Sequence, residues 1–174
     1  MNTTSLRIAA AAIAAAAAVG VLTGCGDSKG SSPAAPSSAQ PAAPAGKSVA
    51  SVDGKALDAK FDTTCAKQGG TLALALTDTA NSAYGNLSVS ATITDANTVQ
   101  AVAIAGSKGG DNGLPYAVGF GNGMPGGSAK VVKDGNTFKV TGEGVGAPDL
   151  TNPLAGPKTS KFDITFACSS IVGA

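Results

Sequence analysis

Apolar and polar residues alternate with a period of two through most of the chain after residue 49. In one such run, serine and threonine residues alternate with Leu87, Val89, Ala91 and Ile93. Successive side chains of a strand point to opposite faces, so this pattern predicts antiparallel strands that are buried on one side. The other clear runs are 71–77, 137–141 and 161–168.

Turn-forming residues separate these runs. They are Asp53-Gly54, Gly69-Gly70, Asp95-Ala96-Asn97 and Asp134-Gly135-Asn136. The segment VVKDGNTFKV (131–140) is the clearest hairpin, with apolar residues on both sides of an Asp-Gly pair. No segment beyond residue 24 keeps a helical period. We therefore predict an all-β domain at 49–174, an antiparallel β-sandwich or partly closed barrel of seven or eight short strands.

The first 24 residues have the pattern of a signal peptide. A short segment containing Arg7 precedes an apolar, alanine-rich run from Ile8 to Leu22. The alternative is a transmembrane helix, but this run has about 15 residues where spanning needs roughly 20. The pattern favours a signal peptide at 1–24 that is removed after export.

The apolar run ends in a lipobox-like sequence, Leu22-Thr23-Gly24-Cys25. Small residues at Thr23 and Gly24 would admit the peptide bond to a signal peptidase, and the Cys25 thiolate would accept a diacylglyceryl group. Two or more acyl chains give stable anchoring. We therefore predict lipidation of Cys25 and a protein held at the extracytoplasmic face of the cell membrane, exposed towards the cell surface.

Residues 25–48 follow as the lipidated cysteine and a tether of Gly, Ser, Pro and Ala. This composition cannot bury enough apolar surface to order itself, so the tether is expected to be disordered. Fully extended, it would reach roughly 70 Å. It is either a spacer through a wall layer or only a linker, and its serines are candidates for O-linked sugar.

Charge and composition exclude several classes of function. Once residues 1–24 are removed, 11 lysines face 11 acidic residues, so no basic surface is left to attract nucleic acid. Histidine is absent, which removes the usual general base and the commonest metal ligand. We predict no enzymatic activity, no catalytic residues, no metal site and no cofactor.

Two cysteines remain beside Cys25. Cys65 lies on one face of a strand region with Phe61 and Thr63, and Cys168 lies on the apolar face of the last strand. Export places both where disulfides persist. A catalytic thiol or a metal site is the alternative, but neither has a histidine partner. We predict a Cys65–Cys168 disulfide.

Gly121–Gly126 matches the dinucleotide-binding pattern G-x-G-x-x-G. That site needs a helix after the glycines, whereas residues 127–132 lead directly into the predicted hairpin. A glycine-rich loop between strands is the better interpretation. The surrounding stretch is irregular, and Tyr116, Phe120 and Met124 could either border a pocket or pack as core and loop.

The order of these features resembles the mycobacterial 19 kDa lipoprotein antigen (LpqH) family. The residues that carry the resemblance are the lipobox 22–25 with its tether, Val52–Lys55, Cys65, 131–142, 149–153 and 161–168. The resemblance implies a surface lipoprotein antigen whose acylated N-terminus is a ligand of Toll-like receptor 2, and it implies no known catalysis. The tether lacks the threonine-rich pattern of the antigen, which weakens any transfer of its glycosylation.

Two functional hypotheses follow. The first is a membrane-anchored envelope antigen with a non-enzymatic β-domain for surface interaction, of the host-receptor or adhesion type. The second is a carrier that binds a lipid or other apolar ligand in the β-domain. The many small residues on the strands could leave space for such a ligand, or could let two sheets pack closely. An internal cavity of several hundred cubic ångströms would favour the carrier.

Overall fold

The computed structural model describes residues 46–174, and the predictions for the signal peptide, the lipobox and most of the tether lie outside them. The described residues form ten β-strands and two single 3₁₀ turns, Asp111–Gly113 and Pro153–Ala155, and contain no α-helix. The strands are β1 (Val49–Val52), β2 (Lys55–Ala56), β3 (Asp62–Gln68), β4 (Thr71–Asn81), β5 (Gly85–Thr94), β6 (Val99–Gly109), β7 (Pro115–Gly121), β8 (Ser128–Asp134), β9 (Thr137–Gly146) and β10 (Thr159–Ala167).

All ten strands belong to one curled antiparallel sheet. Its order is β2-β1-β10-β9-β7-β6-β5-β4-β3, with β8 paired to β9 beside this path. The predicted all-β antiparallel class is confirmed. The count exceeds the expected seven or eight, because short strands such as the two-residue β2 are too brief to show an alternating pattern.

The turns form where their residues predict them. Asp53-Gly54 and Gly69-Gly70 each have two successive positive φ angles (50° and 76°, 55° and 79°), as two-residue type I′ hairpins require. Asn97 has φ 54° in the four-residue loop 95–98 between β5 and β6. In the β8–β9 hairpin, Asp134 pairs with Thr137, so the central residues are Gly135-Asn136 rather than Asp-Gly.

Side chains at alternate strand positions fill the inside of the curl. Each fully buried aliphatic or aromatic side chain contributes about 1.5–3 kcal/mol to folding. The largest of these, all less than 2% exposed, are Phe166, Leu74, Leu76, Leu87, Ile104, Ile164, Val89 and Val140. The register therefore follows the alternation of the sequence, since a shift of one residue would turn these side chains to solvent.

Strand β9 is the branch point of the sheet. Its first part pairs with β8, and on the same side Val145 and Gly146 pair with Gly119 and Val118 of β7. The crowding there explains two glycines of β9. A Cβ at Gly144 would lie 2.6 Å from the carbonyl oxygen of Gly119, and one at Gly142 would collide with the backbone of Ser128.

The disulfide predicted from the sequence is present and joins the first long strand to the end of the last. Cys65 lies in β3 and Cys168 directly follows β10, with Cα atoms 6.0 Å apart. Beside it, Val172 accepts a hydrogen bond from the Lys67 amide (2.7 Å) and donates one to the Cys65 carbonyl (3.0 Å). The C-terminal segment thus covers the outer edge of β3.

Candidate functional site

Leu22, Thr23, Gly24 and Cys25, the residues predicted for lipidation and cleavage, lie outside the described residues. The structure does show how the following chain joins the domain. Lys47 is exposed, and Ser48 is buried at 9% exposure. The Ser48 hydroxyl lies 2.7 Å from the hydroxyl of Thr63 and accepts a hydrogen bond from the Ala167 amide (2.9 Å).

These contacts lie next to the disulfide. We call this part of the domain the tether end, defined by Ser48, Cys65 and 167–172. Because Ser48 bridges β3 and β10 directly before β1, the chain is fixed to the domain from its first strand.

The opposite end of β10 carries a small cleft. Its volume is about 190 Å³, and it lies between the start of β7, the 3₁₀ turn after β6 and the irregular segment between β9 and β10. The side chains around it include three carboxylates, one cation, one phenol and one hydroxyl. They belong to Asp53, Asp111, Asp149, Lys158, Tyr116 and Ser160.

Tyr116 is the aromatic group of the cleft. Its ring is half-buried and lies 4.9 Å from the ring of Tyr84, at an interplanar angle of 57°. Burial raises the pKa of Tyr116 to about 12, and the neighbouring Tyr84 and the Asp53 carboxylate act in the same direction. The phenol therefore stays protonated, and able to donate a hydrogen bond, throughout the physiological range.

Two of the three carboxylates are already held by the protein. Asp53 accepts a hydrogen bond from the Lys161 amide (2.7 Å). Asp149 accepts bonds from the hydroxyl (2.6 Å) and the amide (2.9 Å) of Thr151, and these bonds lower the pKa of the Asp149 carboxyl. The carboxylate of Asp111 has no such partner among residues 46–174.

The sequence did not identify this cleft as a site, although Tyr116, which lines it, was one of the three residues that could border a pocket. Asp53 comes from the β1–β2 turn, Asp111 from the β6–β7 connection, and Asp149 and Lys158 from the β9–β10 connection. They meet only through the fold. The available signal was the irregular segment 147–158, since a connection of this length without strands often carries function.

The glycine-rich stretch at 121–126 begins with the last residue of β7 and continues into the loop before β8, as its sequence suggested. Strand β8 begins at Ser128, and no helix follows the glycines. Phe120 and Met124 border an open apolar recess of about 310 Å³ there, together with Val145. Tyr116 lines the separate cleft, so the structure divides the three residues suggested for one pocket.

The small residues of the strands face outward over much of the sheet. Ala101, Ala103 and Ala105 of β6 are exposed, while Val102 and Ile104 between them are buried. The interior is filled by larger aliphatic and aromatic side chains. On the inner face of the described strands, small residues therefore do not leave the space that an apolar ligand would need.

Residues 46–174 contain no group of three or more Cys, Asp or Glu side chains arranged to hold a metal ion. Within the same residues, the structure has no helix of the length and hydropathy needed to cross a membrane. The described part is a β-domain closed by the Cys65–Cys168 disulfide.

Comparison with known proteins identifies the family. Residues 41–168 match the family model of the Mycobacterium 19 kDa lipoprotein antigen. A putative lipoprotein of Mycobacteroides abscessus is 33% identical over 165 residues, which cover 93% of this chain and 97% of the relative. The lipoprotein LpqH of Mycobacterium avium is 31% identical over 119 residues, or 68% of this chain and 66% of the relative. For LpqH of Mycobacterium tuberculosis the figures are 29%, 118 residues, 68% and 67%.

The chain belongs to the Mycobacterium 19 kDa lipoprotein antigen family. This confirms the resemblance found in the sequence, and the family's names support an envelope lipoprotein.

Proposed function

We propose that the protein is anchored in the envelope by lipid on Cys25 and presents its β-domain as a non-enzymatic interaction module outside the membrane. The observation that carries this proposal is the extent of the match to the Mycobacteroides abscessus lipoprotein. That match leaves only about 7% of this chain uncovered, so it extends over the segment that contains Cys25.

The structure of the domain supports the same role. The chain joins the domain at a fixed point beside the disulfide, and the cleft lies at the far end of β10. A β-domain held in this way keeps its loops available to a partner, as expected when a rigid scaffold positions binding loops. On the host side, the acylated N-terminus is the part that we expect Toll-like receptor 2 to recognise.

The alternative is a carrier of apolar ligands. Its interior site is disfavoured, because the inward positions of the described strands carry bulky side chains that are nearly fully buried. The open recess beside Met124, at about 310 Å³, lies at the lower limit of the roughly 300–1,000 Å³ of sites for drug-sized ligands. We therefore prefer the interaction module.

The test is Cys25→Ala, expressed in the native host beside the wild type and beside Ser31→Ala, a matched change in the tether. The wild type and Ser31→Ala should enter the detergent-rich phase and carry a diacylglyceryl mass on the N-terminal peptide. Cys25→Ala should be found in the aqueous phase and should fail to activate a Toll-like receptor 2 reporter. A wild type without the diacylglyceryl mass on its N-terminal peptide, or a Cys25→Ala protein that is cleaved after residue 24 and still stays in the membrane fraction, would contradict the anchor.

A further inference from the structure

The cleft lies away from the point where the chain joins the domain. Strand β10 contacts both places: Ser160 near its start lines the cleft, and the amide of Ala167 at its end donates a hydrogen bond to Ser48. Seven residues of an antiparallel strand span roughly 24 Å. A ligand in the cleft would therefore lie far from Ser48 and from the disulfide.

Three polar groups of the cleft are available to a ligand. The Asp111 carboxylate, the Tyr116 hydroxyl and the Lys158 ammonium make no hydrogen bond or ion pair with another side chain of residues 46–174. They supply an acceptor, a group that both donates and accepts, and a donor. This combination suits a ligand whose own groups both donate and accept hydrogen bonds.

The charges of these groups argue against an anionic ligand. The carboxylates of Asp53, Asp111 and Asp149 would repel an anion. An organic cation would meet the Lys158 ammonium, and two of the three carboxylates already accept hydrogen bonds from the protein. Those two carboxylates keep their charge, and the charged groups that are still free to form hydrogen bonds are one carboxylate and one ammonium, a pair that the hydroxyl groups of a neutral polar molecule can bond.

The size and the backbone of the cleft restrict the ligand further. Its 190 Å³ is below the roughly 300–1,000 Å³ of sites for drug-sized molecules, so it suits a single small ring. The wall at Gly110 is bare backbone, since a Cβ there would lie 2.5 Å from the Pro115 carbonyl oxygen. Tyr116 adds one amphipathic aromatic surface.

We propose that this cleft binds a neutral sugar, with the ring against Tyr116 and hydroxyl groups bonded to Asp111 and Lys158. The proposal rests on the interaction role proposed above and names the chemical class of one partner. A sugar hydroxyl donates to the Asp111 carboxylate and accepts from the Lys158 ammonium, so one ligand satisfies both groups without a net charge.

The chain itself supplies the probe, since it contains two tyrosines and no tryptophan. Full-length lipoprotein in a detergent without a sugar headgroup is titrated with glucose, galactose, mannose and arabinose, and tyrosine fluorescence is followed. Saturation-transfer NMR on the same samples identifies the sugar protons in contact. At least one sugar should saturate the fluorescence change.

The double variant Asp111→Asn/Lys158→Gln should weaken that sugar at least tenfold. Its matched control is Asp134→Asn/Lys130→Gln, which makes the same chemical changes at exposed positions of β8 and should bind as the wild type does. Saturable binding that both variants retain equally would overturn the proposal. Absence of binding by all four sugars, or tighter binding of arginine methyl ester than of any sugar, would overturn it as well.

Failure here is distinguishable from failure of the anchor. A wild type that partitions with membranes and binds no sugar keeps the proposed function and removes this inference. If Cys25→Ala becomes aqueous and still binds the sugar, both are supported, since the cleft is built entirely from residues of the β-domain.

Discussion

The two ends of the β-domain are held by contacts of different kinds. At the tether end, a disulfide, two backbone hydrogen bonds to Val172 and the buried hydroxyl of Ser48 tie β3 to the end of β10. At the cleft end, the segment 147–158 leaves Leu150 and Leu154 65% and 98% exposed. The comparison indicates that the two ends have different structural roles. One end closes the sheet, and the other can keep an open, irregular surface because it does not have to close it.

The largest expected effect comes from breaking the tether end. The disulfide joins residues 103 positions apart, and a loop of about that length is worth up to about 4.7 kcal/mol in the chain-entropy model. We expect Cys65→Ala/Cys168→Ala to lower the free energy of unfolding by about 2–5 kcal/mol in urea titrations followed by circular dichroism.

Wild-type protein unfolded in the presence of a reductant is the control, since it loses the same bond without a change of sequence. It should unfold at about the same urea concentration as the double variant. A loss below about 0.5 kcal/mol in both would show that the hydrogen bonds to Val172 close the sheet without the disulfide, and the contrast between the ends would be weaker than we describe.

A smaller loss in the free energy of unfolding is expected when one serine at the tether end is replaced, and one serine at the cleft end provides the matched control. Ser48→Ala leaves the buried Ala167 amide without its acceptor, which costs about 1–3 kcal/mol. Ser160→Ala is the matched change at the cleft end, where the side chain is half-buried and lines the cleft. Thermal or urea unfolding should show a clear loss for Ser48→Ala and a change within about 0.5 kcal/mol for Ser160→Ala. Equal losses of stability in the two variants would show that the serine contacts do not distinguish the two ends of the domain.

The difference between the ends also separates what the sequence predicts from what it does not. The period-two runs place Leu74, Val89, Val140 and Ile164 inward, and the structure buries all four. Cys65 and Cys168 are assigned to inward faces by the same reasoning. These features depend on local alternation and on one covalent pairing, so the sequence is sufficient for them.

The cleft and the strand order depend on long-range pairing instead. No local signal shows that β9 receives β8 and β7 on the same side, because two pairs with β7 are too few to leave a pattern. The neighbours Asp53, Asp111 and Asp149 come from three separate connections. Their meeting depends on where β1, β7 and β10 stand in the sheet, which no run of residues encodes by itself.

The smallest expected effect concerns Tyr116 and sharpens the description of the cleft end. Its pKa is raised from 10.0 to about 12, first by burial and then by Tyr84 and Asp53. A raised pKa in the folded state means that folded protein holds the phenol proton more tightly than unfolded protein does. The resulting stability is fully present below pH 10 and is lost as the pH rises through about 12.

Tyr116→Phe isolates this contribution, because it keeps the ring beside Tyr84 and removes the proton. Between pH 10 and 12 the free energy of unfolding should fall more steeply for the wild type than for Tyr116→Phe, by less than the loss in Ser48→Ala, since the ring is about half exposed and solvent screens its charge. Absorbance at 295 nm should show one phenol of the folded protein ionising near pH 12, and that step should be absent from Tyr116→Phe. If the two proteins lose stability in parallel, Tyr116 is not desolvated in the cleft, and the cleft is more open to water than its walls indicate.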